Sequence, residues 1–144
     1  MRLRPATSED APALARILGD WVRETGWMPV LHTREEDLGF VRLMIEGMQV
    51  TVAEEGSPLG FLALDGDQVQ AFQVAGEARG RGVGRALLDH AKSRSRHLAL
   101  WVFDANVRAV AFYARERFRV AQRTDGLHNE EGLPDLRMIW DSTP

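Results

Sequence analysis

Residues 74–88 read Val-Ala-Gly-Glu-Ala-Arg-Gly-Arg-Gly-Val-Gly-Arg-Ala-Leu-Leu. Such a stretch can hold an anion. Glycine lets the backbone come close to a ligand. A strand that runs through a glycine loop into a helix leaves unpaired N–H groups at the partly positive helix N-terminus. Arg79, Arg81 and Arg85 add donors suited to phosphate oxygens. Two familiar phosphate loops do not fit. The dinucleotide spacing G-x-G-x-x-G would need glycine at Arg85 or Leu87. The nucleotide-hydrolase spacing would need Gly-Lys-Ser/Thr, and the single lysine is Lys92, inside the following helix. What remains is Arg79-x-x-Gly82-x-Gly84. A second set of groups is Asn106-x-x-Ala109-x-x-Phe112-Tyr113. Its amide and phenol stand two helical turns apart, so both can face one groove.

Charge gathers around the glycine loop. The 144-residue chain carries net charge −3. Residues 1–78 hold 6 arginines and 13 acids, net −7; residues 79–96 hold 6 cations and one acid, net +5; the rest is net −1. A short basic block in an acidic chain suits a localised anion site and argues against a nucleic-acid surface. No aromatic residue interleaves with those cations, as a single-strand binder would require. Length and a hydrophobic content of 44% allow one compact domain over 1–144. Cysteine is absent, which removes disulfides, thiolate metal sites and a cysteine nucleophile; no metal site is expected. No apolar run approaches the roughly 20 residues of a membrane span. Met1-Arg2-Leu3-Arg4-Pro5 lacks the apolar core of a leader. The expectation is a cytoplasmic protein with neither membrane nor nucleic acid as partner.

Period and punctuation give the elements that must position these groups. Leu3–Ala6 reads as a first strand. Thr7 with Asp10 and Thr33 with Glu36 are capping boxes that open two helices. Strands follow at Val50–Glu54, Leu59–Leu64 and Val69–Val74, separated by glycine turns. The helix after the glycine block buries Val83, Ala86, Leu87 and Ala91, and Leu98–Phe103 reads as a strand buried on both faces. Asn106 caps a helix with Val107, Val110, Ala111 and Ala114 inward, and Phe118–Arg123 and Leu136–Trp140 close the chain as strands. The predicted class is α/β (α+β): a mixed, mostly antiparallel sheet of seven strands flanked by four helices.

In the Arg79–Leu88 segment, in the Asn106…Phe112-Tyr113 helix and in element order over nearly the whole chain, the sequence resembles the GNAT (GCN5-related N-acetyltransferase) superfamily. The resemblance implies acetyl-coenzyme A (acetyl-CoA) as cofactor. It places the diphosphate on the backbone of Arg79, Gly80, Arg81, Gly82, Val83 and Gly84, with Arg85 contributing charge. Val74 would offer its N–H to the thioester and its backbone to the pantetheine arm, Asn106 would bond the pantetheine, and Tyr113 would protonate the departing sulfur. The acceptor, a small-molecule or peptide amine, would lie against Trp27, His32 and His128. The chain departs from the family pattern in three places. Gly76 stands where proline is common, Arg117 replaces the glycine of a Gly-Phe pair, and the fourth strand offers Gln68, Gln70 and Gln73 where many members carry a basic glutamate.

The expected reaction is therefore direct transfer of an acetyl group to a primary amine in a ternary complex, since no cysteine can carry an acyl-enzyme. Glu54, His32 and His128 are the candidate bases. The alternative is a coenzyme A-binding sensor without turnover. A homodimer through a sheet edge is compatible with either.

Overall fold

The computed structural model describes residues 1–142. Its elements are β1 (Arg2–Pro5), α1 (Ala11–Glu24), α2 (Arg34–Gly47), β2 (Gln49–Glu55), β3 (Ser57–Asp65), β4 (Gln68–Val74), α3 (Val83–Ser93), β5 (His97–Phe103), α4 (Val107–Arg115), β6 (Arg119–Thr124) and β7 (Asp135–Asp141). The seven strands form one sheet in the order β1-β2-β3-β4-β5-β7-β6, antiparallel except for β4 beside β5. This is the predicted α/β arrangement, with each strand within about two residues of its expected place.

Local chemistry sets the helix starts. Thr33 Oγ1 accepts from Glu36 N–H at 3.1 Å while the Glu36 carboxylate accepts from Thr33 N–H at 3.0 Å, a complete capping box. At the other predicted box, Asp10 accepts from Thr7 N–H at 2.7 Å and takes both arms of the Arg4 guanidinium at 2.8 Å. Arg4 also reaches Glu54 at 2.9 Å, so one arginine fastens β1 to α1 and to β2. That pairing holds the Asp10 carboxyl below the usual carboxylate range.

The feature that makes a site is a failure of pairing. β4 and β5 meet only at Gln68↔Ala99 and Val69↔Leu100. Between Ala63↔Ala71 and Leu64↔Val69 the ladder carries one extra residue on β4, Gln70. A bulge of this kind bends its strand. From Gln70 onward the two strands part, and a gap opens toward Val74 on one side and Phe103 on the other.

Two expectations about buried faces need correction. In α3 the inward residues are Val83, Leu87, Leu88 and Ala91, while Ala86 is only half-buried. In α4, Val107 is 70% exposed and Ala111 and Ala114 are exposed; the inward side carries Ala109, Val110, Phe112 and Tyr113. Burying two aromatic rings removes far more apolar area from water than burying alanines, so the rings decide how the short helix turns.

Helix α4 ends in a Schellman motif: Phe118 N–H bonds Tyr113 C=O at 2.9 Å and Arg117 N–H bonds Ala114 C=O at 3.1 Å. The residue between them must be left-handed, and Arg117 is, with φ +73°. Here the departure from Gly-Phe has a cost, because an L side chain is disfavoured in that region by about 1–2 kcal/mol. Arg117→Gly is expected to raise the unfolding free energy by about 1 kcal/mol, read from urea or thermal midpoints. A drop in stability would mean that the Arg117 side chain contributes more than its backbone strain costs.

Candidate active site

The loop between β4 and α3 borders the gap. Gly80 and Gly82 have φ of +76° and +81°, and a Cβ built on either meets nothing within 4 Å. Both conformations favour glycine, and both sites open into free space. The first bond of the helix is Ala86 N–H to Gly82 C=O, 3.0 Å. Among the described residues, the six successive N–H groups from Gly80 to Arg85 donate to no protein acceptor. This is a cradle of amides at a helix N-terminus, and a diphosphate fits its chemistry. Gly84 differs from its neighbours. Its added Cβ would lie 3.6 Å from Phe72, 3.7 Å from Val74 and 3.8 Å from Phe112, in ordinary contact with each, so this glycine faces packed side chains and not open space.

The three arginines are not equivalent. Arg81 pairs with Glu55 at 3.0 Å, and Arg85 lies 3.8 Å from Asp89 and 4.0 Å from Glu116. Arg79 has no carboxylate partner among the described residues, and it lines a cavity of about 300 Å3 with Asp20, Trp21, Glu24 and Gly76. At the end of β4, Ala75 N–H donates to Leu59 C=O at 2.7 Å, and Val74 stands opposite Gly60. Backbone groups of an antiparallel strand alternate in direction, so the Val74 N–H faces away from β3 and into the gap.

Tyr113 approaches from α4. Its ring packs against Phe112 and Phe118 at 5.5 Å and Phe72 at 6.3 Å and is 9% exposed. Burial pushes the phenol well above its ordinary ionisation range. Its hydroxyl has no hydrogen-bond partner among the described residues. Among the described residues, the one fully enclosed side-chain polar atom without a hydrogen-bond partner is instead His32 Nδ1. The Tyr113 oxygen therefore touches open space although its ring is buried. Asn106 accepts from Ala109 N–H through Oδ1 at 3.3 Å and so caps α4, which leaves its NH2 group free to donate elsewhere.

The opposite side of the gap is aromatic. Trp27 meets Trp21 at 6.0 Å and Phe103 at 5.9 Å, both edge to face. His32 packs edge-on to Phe40 at 4.9 Å, and its Nε2 reaches Glu130 at 2.9 Å, joining the α1–α2 loop to the β6–β7 loop. His128 lies on Trp101 at 4.7 Å, and its Nε2 meets Asp135 at 2.9 Å. Asp135 is 3% exposed. Burial would raise its carboxyl, but hydrogen bonds from Thr124, His128 and Asn129 outweigh it and hold the group below the usual range. Of the three candidate bases, Glu54 is taken by Arg4 and Arg2, and His32 by Glu130.

The Glu130 hydrogen bond raises the His32 imidazole above its ordinary value. The link contributes stability that is fully present below the unfolded imidazole range and is lost as pH rises through the raised folded value. Wild type and His32→Gln are expected to differ in urea midpoint at about pH 5.5 and to converge by about pH 9. A difference that grows with pH would show that the bond to Glu130 does not depend on a charged His32.

Trp101 was not singled out from the sequence; Thr124, Glu130 and Asp135 lie in the 124–135 segment that the resemblance gives to the acceptor, without individual roles. Trp101 sits in a strand otherwise buried on both faces yet is 43% exposed, and only an alternation count along β5 hints at that. The other three meet their partners only after β6 and β7 have paired.

A family model for the acetyltransferase (GNAT) domain matches residues 30–120. Peptidyl-lysine N-acetyltransferase YjaB of Escherichia coli (strain K12) is 37% identical over 94 residues, 65% of this chain and 64% of that protein, so the match spans just under two-thirds of the relative's length. Peptidyl-lysine N-acetyltransferase YiaC of the same organism is 28% identical over 96% of this chain and 95% of its own. The solution structure of apo-form YjaB from Escherichia coli superposes with a TM-score of 0.80 at 28% identity, covering 96% of each chain. With the domain model spanning most of the chain and the sheet parting beside a cradle of free amides, this chain belongs to the GNAT acetyltransferase family.

Proposed function

We propose that this protein is an acetyl-CoA-dependent N-acetyltransferase, one domain over 1–144, that acts on a primary amine by direct attack in a ternary complex. The observation that carries the reading is the run of six unpartnered N–H groups, Gly80 to Arg85, at the mouth of the gap between β4 and β5. Acetyl-CoA supplies the acyl group as an activated thioester. The amides of Gly80–Arg85 would hold its diphosphate, and Arg79 is the arginine of the block free to add charge. The Val74 N–H would polarise the carbonyl where negative charge develops. The Asn106 NH2 would orient the pantetheine amides, and the Tyr113 hydroxyl would give the sulfur its proton.

The acceptor class that fits best is a peptidyl lysine. YjaB and YiaC are named for that activity. The wall formed by Trp27 and Phe103 can take the aliphatic stem of a lysine, and Glu24, which has no ion-pair partner among the described residues, supplies negative charge for its ammonium. A cytoplasmic location suits a reaction that consumes acetyl-CoA, and no helix among the described residues is long and apolar enough to cross a membrane.

The test is thiol release from acetyl-CoA with an Nα-blocked lysine peptide, the modified atom being located by mass spectrometry. Acetylation at Nζ supports the reading. Tight coenzyme A binding without release from any amine in a broad panel would leave the sensor instead.

A further inference from the structure

We propose that His128, held by Asp135, is the group that takes the proton from the incoming amine. The inference rests on the acetyltransferase reading and adds the residue that reading lacks, since β4 carries only glutamines where a base could stand.

Register puts the pair on the acceptor side. β5 and β7 run antiparallel with Phe103 opposite Asp135 and Trp101 opposite Arg137. Directly opposed residues share one face of a sheet. Phe103 meets Trp27 on that face, so Asp135 and His128 stand on the aromatic wall of the gap.

The tautomer follows from the partners. Asp135 accepts from the Thr124 hydroxyl, from Asn129 Nδ2 at 3.2 Å and from His128 Nε2 at 2.9 Å. An ionised carboxylate can only accept, so Nε2 carries a hydrogen, and in the neutral ring Nδ1 is then the nitrogen with the lone pair. Buried and bonded by three donors, Asp135 fixes the ring, and a tilted contact with Trp101, 4.7 Å between ring centres, supports it from one side. With its side chain 44% exposed, His128 is open to an acceptor. The other imidazole on this wall is occupied, its Nε2 on Glu130 and its Nδ1 enclosed. Asp135 of β7 faces His128 directly and Arg137 of β7 lies 5.3 Å over the Trp101 ring that His128 meets; the other charged residues of its own loop are Asp125, Glu130, which is turned to His32, and Glu131.

The protons balance. The ammonium gives one to His128 Nδ1, and the neutral nitrogen attacks the thioester carbon. A C–N bond forms, the C–S bond breaks, and the sulfur takes a proton from Tyr113. The nitrogen, now acylated, loses its second proton, which restores Tyr113. His128 returns the first proton to solvent. The sum is ammonium plus thioester giving amide, thiol and one proton.

Three measurements on the full chain decide it. The 15N imidazole spectrum of the protein alone is expected to show His128 protonated at Nε2 and bare at Nδ1, with the balance moving toward the other tautomer in Asp135→Asn. With acetyl-CoA and the Nα-blocked lysine peptide, His128→Gln is expected to lower kcat about 100-fold, to leave the KM for acetyl-CoA unchanged and to remove the acid limb of the kcat profile. Added imidazole is expected to restore part of the rate in His128→Ala. The opposite tautomer in wild type, or a His128→Gln enzyme with near-normal kcat and an unchanged pH profile beside an active wild type, overturns the assignment. A wild type that transfers to no amine overturns the acetyltransferase reading, and this one with it.

Discussion

Gly82→Asp is expected to weaken acetyl-CoA binding by about three orders of magnitude in a protein that still folds. The fold should tolerate the change for two reasons. Gly82 has φ +81°, a region that aspartate visits more readily than most L residues, and the new Cβ meets nothing within 4 Å. The residue also precedes α3 at its partly positive N-terminus, where a negative charge is favourable. Binding should not tolerate it. The carboxylate would take up the amides meant for the diphosphate and would repel it. Two like charges about 4 Å apart at a protein surface cost about 4 kcal/mol, and each 1.4 kcal/mol is a factor of about ten. Gly82→Asn is the control, since it has nearly the same shape and no charge, and calorimetry should find it much closer to wild type. Wild-type affinity in folded Gly82→Asp would remove this loop as the phosphate site. Gly84→Asp cannot stand in for it. Its side chain would point at Phe72, Val74 and Phe112, so a loss of binding there would report disturbed packing.

That contrast between two glycines of one motif marks the limit of what the sequence could tell. Strand and helix order was legible because period and capping are local: Thr33 finds Glu36 three residues away, and the glycine loop lies between its own strand and helix. Which way a glycine faces was not, because that depends on Phe72 and Phe112, which come from β4 and α4. The face of α4 was misjudged for a related reason. Val107, Ala111 and Ala114 fit the helical period, but Phe112 and Tyr113 carry more area and the cluster with Phe72 and Phe118 draws them in. Long-range polar pairs were the least legible. Arg81 finds Glu55 across 26 residues and His32 finds Glu130 across 98, and no local pattern marks either. The parting of β4 from β5 rests on a single extra residue, Gln70, in a run that otherwise alternates as a strand should.

Tyr113→Phe is expected to lower kcat by about 10²–10⁴-fold and to leave the fold intact. The ring stays, so its contacts with Phe72, Phe112 and Phe118 stay. The hydroxyl has no hydrogen-bond partner among the described residues to lose, and stability should therefore hold or rise slightly. Affinity for acetyl-CoA should change by no more than one neutral hydrogen bond, about 1 kcal/mol. The large effect is on the proton. Burial raises the phenol above its ordinary range, so it stays protonated at any pH the enzyme meets. The same shift makes it a weaker acid toward sulfur, and a free phenolate in that aromatic cluster would be costly. Transfer to sulfur must then be matched by return of a proton from the newly acylated nitrogen, which makes Tyr113 a relay. Two readouts follow. The alkaline side of the kcat profile in wild type should show no loss attributable to Tyr113, and Tyr113→Phe should show a solvent isotope effect different from wild type as sulfur turns to water for its proton. A Phe variant within a few-fold of wild-type kcat would take Tyr113 out of the mechanism and leave it as a core residue whose hydroxyl happens to reach the gap.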